Sequence, residues 1–111
     1  MMEIIVKRER KYREMLHGRL WIDGDHVCDT LERADACLAP GTHRMEKGTL
    51  PFVASNGVHT LGKNQMAVGE WMYLGFIIHT QQSLAALKDR LRKSLFRHGE
   101  VLLRVEEEME S

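Results

Sequence analysis

"MLHGRLWIDGDHVCDTLER", residues 15–33, decides the fold. Leu16, Gly18, Leu20 and Ile22 recur at every second position with His17, Arg19 and Trp21 between them, the alternation of a strand with one buried face. At Asp23-Gly24 the pattern stops, and glycine accepts the positive φ that a primed hairpin turn demands. His26 to Glu32 runs back as the return strand. The stretch is thus a β-hairpin that also packs His26, Cys28, Asp29 and Glu32 close together.

Upstream, "MEIIVKRER" (residues 2–10) passes from the β-branched run Ile4, Ile5, Val6 into charges, predicting a first strand over about residues 2 to 9. Downstream, Pro40-Gly41 fits a type II turn leading into a short strand, Thr42 to Glu46. "LPFVASNGVHTL" (residues 50–61) predicts a short strand, an Asn56-Gly57 hairpin turn and a return through Val58, Thr60 and Leu61. "WMYLGFII" (residues 71–78) is a continuous apolar run, the pattern of a central strand buried on both faces. Leu84, Leu87, Leu91 and Leu95 then follow at spacings of three and four, with Lys88, Asp89, Arg90, Arg92, Lys93 and Arg97 on other faces. This predicts a helix over roughly 81 to 97, N-capped by Thr80 and ended at His98-Gly99. "EVLLRVEE" (residues 100–107) supplies a last strand, and residues 106–111 read as an acidic tail. The fold class is α+β: a small mixed, mostly antiparallel sheet or partial barrel with one C-terminal helix, forming a single domain over residues 1–111.

Sixteen basic and sixteen acidic side chains cancel. No general attraction to nucleic acid follows, because that calls for a basic excess. The N-terminal apolar run is too short for a signal peptide or a membrane span, so the expected location is cytoplasmic. Cys28 and Cys37 are then expected as free thiols. His17, His26, His43, His59, His79 and His98 show no zinc-type spacing, and no metal or cofactor is expected.

The order of "GRLWIDGDHVCDTLER", "APGTHRM", "LPFVASNGV", "VGEWMYLGFIIHTQQSLAALKDRLRKS" and "GEVLLRVEE" resembles a family of small domains of unknown function from bacterial and phage-related genomes. Its members share a strand ending in Cys-Asp-Thr-Leu-Glu, a Pro-Gly-Thr turn, and a Ser/Thr-capped helix before a final strand. Longer relatives carry a His-x-Gly-Asn phrase and then a Gly-Cys, similar to the histidine and nucleophilic cysteine of L,D-transpeptidases, which act on peptidoglycan stem peptides. Here the matching dipeptide is Gly75-Phe76. Phenylalanine cannot form an acyl-enzyme, and the resemblance therefore implies a member without that chemistry.

Among the residues themselves, Cys28 with His26 is the sharpest pair, since an imidazole can ionise a neighbouring thiol and positions i and i+2 share a strand face. His59 is an alternative base and Asp29 an orienter. Asp29 and Glu32, three apart, fall on opposite faces and so do not form a glycosidase pair. Asp29-Thr30 reads as an anchor at the strand's exit, with Glu32 or Arg33 in solvent. Lys7, Arg8, Arg10, Lys11 and Arg13, with Tyr12 and Trp21, could make a small phosphate-binding or nucleic-acid-binding surface. Glu9 and Glu14 interrupt that run, and the expectation is an edge strand protected by charge. Two functional readings follow. The first is a non-catalytic binding or structural module of phage or mobile-element origin, engaging a protein or cell-wall peptide. Its rival is a cysteine-dependent hydrolase or transpeptidase.

Overall fold

The computed structural model describes residues 2–73 and 75–108. Its strands are β1 (Glu3–Tyr12), β2 (Met15–Ile22), β3 (Asp25–Arg33), β4 (Gly41–Glu46), β5 (Phe52–Val53), β6 (Met66–Tyr73), β7 (Phe76–Ile78) and β8 (Glu100–Glu107), with one helix, α1 (Thr80–His98). A short 3-10 turn spans Lys47–Thr49. The sheet has the order β4-β8-β1-β2-β3-β6-β5, with β7 hydrogen-bonded to β6, and it curls into a half-barrel. Among the described residues, β1–β8 and β5–β6 are the parallel pairs.

The β2–β3 hairpin forms as the alternation dictates, with Asp23 at φ 51° and Gly24 at φ 82° in its turn. Ile4, Val6, Leu20, Ile22, Val68, Leu103 and Val105 line the inner face and meet α1 through Leu87 and Leu91. Gly18 belongs to this face for a steric reason: a Cβ there would stand 2.6 Å from Thr30 Oγ1 and 2.9 Å from the Lys7 carbonyl. Leu84 and Leu95 pack at the margin. Gly99, at φ 72°, ends α1 by donating its N–H to the Leu95 carbonyl.

Several expectations fail, each for a local reason. The charged first strand is central rather than an edge, because β8 pairs with it along the side away from β2. Arg8, read as part of a charged edge, and Glu32, read with Arg33 as the one in solvent, are 0% exposed and face each other across the inner core. The acidic segment does not begin at Glu106, since Glu106 and Glu107 lie in β8; residues 109–111 lie outside the described ones. "WMYLGFII" is not one buried strand. The stretch buried throughout is Met66–Gly69, after which Tyr73 pairs with Phe76 and the chain reverses, with Gly75 at φ 83°. Asn56-Gly57 makes no hairpin and residues 58–61 no strand. Instead Asn56 donates its side-chain amide to the Ile77 carbonyl (2.8 Å) and accepts from the Ile77 N–H (3.1 Å), tying the loop to β7.

Thr80 is not the helix cap. His79 holds that place in the left-handed region (φ 55°), and Thr80 turns inward over Gly69. A Cβ on Gly69 would collide with the Ile78 carbonyl, so the chain enters α1 across a strand that only glycine lets it approach so closely.

Candidate functional site

Bulges decide which side chains reach the helix-free outer face. From Met15↔Arg33 to Leu20↔Cys28 the β2–β3 register is regular, but Trp21 then pairs with His26 and Val27 is left over. The extra residue turns Val27 toward the core and His26 out to solvent, onto the side that carries Asp29. His26 Nε2 lies 2.8 Å from Asp29 Oδ1, and Asp29 Oδ2 accepts the Trp71 backbone N–H at 2.9 Å. Asp29 is therefore an anchor, as the sequence suggested, but it ties β3 to β6 rather than fixing its own strand's exit. Arg8 follows Ile4 and Val6 inward by ordinary alternation, and a second irregularity in β1, between Arg8 and Arg10, brings Arg10 opposite His17 on the outer face.

Cys28 and His26 do not meet as the i, i+2 rule predicted, because the bulge breaks that rule between them. Cys28 is 3% exposed among Leu20, Val68 and the other inner side chains. Burial, reinforced by the charge of Asp29, pushes its thiol up to about 12. A thiol held protonated cannot act as a nucleophile near neutrality. Cys37 is a free, half-buried thiol whose Sγ donates to the Ala34 carbonyl. His59 is exposed on the loop beside Met15, whereas His26 sits beside Trp21 at the other end of β2. Six residues of strand separate those ends, about 20 Å. The four nominated residues are thus dispersed: His26 and Asp29 together, Cys28 behind the sheet, His59 far along it.

The outer face instead gathers aromatic and cationic groups around the β6–β7 hairpin. Arg19 lies over the Trp71 ring (5.5 Å) and Lys7 over Trp21 (5.7 Å). His17 meets Trp71 edge-on at 5.2 Å, and Tyr73 stacks on Phe76 at 5.2 Å. A shallow cleft of about 380 Å³ is lined by Arg10, His17, Trp71, Met72 and Tyr73. Across the hairpin a groove of about 580 Å³ takes in Tyr12, Arg13, Met15, His59 and Phe76. Met72 and Tyr73 are 57% and 65% exposed between them. His17 is buried and accepts the Gly75 N–H at Nε2 (3.1 Å), which fixes the neutral imidazole with its proton on Nδ1. Burial and then the charge of Arg10 hold its pKa below the ordinary histidine value.

The sequence pointed to Lys7, Arg10, Arg13, Tyr12 and Trp21 and placed His17 on the strand face it shares with Trp21, but it missed Trp71, Tyr73 and Phe76, because their run read as buried strand. Gly75 inside that run was the available signal, since glycine interrupting an apolar run marks a turn as readily as a strand.

Among the described residues, no three His, Cys, Asp or Glu side chains come together as a metal-holding group. No helix among them is long and apolar enough to cross a membrane. Comparison with protein-family models, with curated proteins and with solved structures finds no match for the chain.

Proposed function

We propose that the protein is a non-catalytic binding or structural module that engages a protein or a cell-wall peptide through its helix-free face. The observation that carries this reading is the position of Cys28, buried behind the sheet from every histidine on the outer face and held protonated. What that face offers is recognition chemistry: flat aromatic rings, cations stacked on them, and shallow clefts on both sides of one hairpin. Aromatic and arginine side chains of this kind anchor peptide ligands, and the cations suit ligands bearing free carboxylates. The phage or mobile-element origin rests on the order of sequence phrases, and the genes that flank the coding sequence test it.

The rival reading, a cysteine-dependent hydrolase or transpeptidase, draws on the His26–Asp29 hydrogen bond, which has the form of a base with its orienter. Alkylation separates the two. In the binding module, Cys28 reacts with iodoacetamide only when the chain unfolds, and peptidoglycan stem peptides shift amide resonances of Trp71 and Tyr73 without turnover. Hydrolysis or transfer that disappears in Cys28→Ser would overturn the proposal.

A further inference from the structure

A second surface lies on the opposite side of the molecule and is independent of the reading just given. Phe96, on α1, is 90% exposed, the most exposed large apolar side chain among the described residues. The leucine stripe of α1 already faces the sheet, so Phe96 does nothing for the core. Beside it, between the C-terminal half of α1 and the turn at Lys47–Thr49, runs a groove of about 600 Å³ lined by Lys47, Leu50, Lys88, Arg92, Leu95 and Phe96.

The chemistry of this lining is one-sided. Leu50, Leu95 and Phe96 supply apolar surface and Lys47, Lys88 and Arg92 supply positive charge, while no carboxylate among the described residues lines the groove. Although the whole chain is neutral, α1 carries Lys88, Arg90, Arg92, Lys93 and Arg97 against Asp89 alone. Asp89 holds Arg92 at 2.9 Å, but both side chains are well exposed and the pair is readily exchanged for another carboxylate. A local excess of positive charge in a balanced molecule thus stands beside the most exposed aromatic ring among the described residues.

We propose that this groove docks an acidic protein segment, with one apolar side chain of the segment seated against Phe96 and Leu50 and flanking carboxylates meeting Lys47, Lys88 and Arg92. Charge complementarity selects the acidic character. The shape selects a chain rather than a membrane: the groove is bounded on two sides, whereas a bilayer is met by a flat or convex surface with several protruding apolar side chains. Here Phe96 protrudes alone. An apolar anchor inside a charged rim is the arrangement in which a few contacts carry most of the affinity and the rim sets the salt dependence.

The test is fluorescence anisotropy with the full chain and a fluorescein-labelled, glutamate-rich peptide carrying one leucine and one phenylalanine. Saturable binding that weakens with added salt is expected. Phe96→Ala should weaken it by about tenfold, the loss of one anchor, and Lys88→Glu should weaken it and flatten the salt dependence. Lys63→Glu, outside the groove's lining, should bind as the parent does, and circular dichroism should show all three variants folded. The proposal is overturned if a glutamine-rich version of the peptide binds equally well, or if Phe96→Ala and Lys88→Glu leave binding unchanged. It is overturned too if the peptide fails to bind while phosphatidylserine vesicles capture the chain through Phe96, which would make the surface a membrane contact.

Discussion

Two carboxylates three residues apart on β3 live in opposite worlds. Glu32 points into the core, where both of its oxygens accept from Arg8 at 2.8 and 2.9 Å; Arg8 also donates to the Leu38 carbonyl and to Glu107. Asp29 points outward and shares itself between an exposed histidine and the backbone of β6. Burial opposes the charge on Arg8, but its bonds with Glu32 and attraction to that carboxylate outweigh it and keep the guanidinium ionised. The inner pair therefore fixes which strands and loop come together, and the outer one tunes a surface. The comparison teaches that an ion pair's weight comes from what surrounds it, since the residue types hardly differ.

Breaking the inner pair is the harshest test. Glu32→Ala strands a buried guanidinium and should destabilise the fold by about 3 to 5 kcal/mol in urea denaturation, whereas replacing Arg8 and Glu32 together by Met and Leu should recover most of the loss. Leu87→Ala, which empties apolar volume between α1 and the sheet, should cost about 2 to 5 kcal/mol by the same measurement. On the outer face the effects shrink. Asp29→Ala removes the acceptor of the Trp71 N–H and should cost about 1 to 3 kcal/mol.

His17 sharpens the contrast between the faces through pH. Its folded pKa lies below the unfolded value near 6.5, so the unfolded chain takes up the proton first; the stability is complete above that value and is lost as pH falls below it. Thermal unfolding should thus show a drop in melting temperature from about pH 7 to 5 that is smaller in His17→Gln, whose side-chain oxygen can still accept the Gly75 N–H. Smallest of all are His26→Ala, under about 1 kcal/mol, and Arg90→Ala, under about 0.5 kcal/mol, both measured by denaturation.

The β2–β3 hairpin, α1 and the start of β1 were readable because each repeats one physical demand along several residues: alternation, leucine spacing, a β-branched run. The bulge at Val27 was not, since no side-chain pattern announces that one residue of a strand has lost its partner. It alone separates His26 from Cys28 and undoes the most attractive chemical pair. Arg8 and Glu32 were invisible for a related reason: a charge amid charges reads as solvated until its partner is known, and that partner stands 24 residues away. The outer cleft was hidden inside an apolar run whose midpoint reversal rests on Gly75.

The place of β1 also carries a consequence for how the molecule comes into being. One of its neighbours, β2, is the next strand in the chain; the other, β8, pairs Glu3 with Leu102. As the polypeptide emerges from the ribosome, β1 can zip to β2 and β2 to β3 at once, but the other edge of β1 stays uncovered until Glu100–Glu107 has been synthesised. Closing so large a loop is entropically costly, and pairing between such distant segments slows folding. Strand β8 is therefore the latch, and until it closes the nascent sheet presents a bare edge that a chaperone or a second nascent chain can occupy.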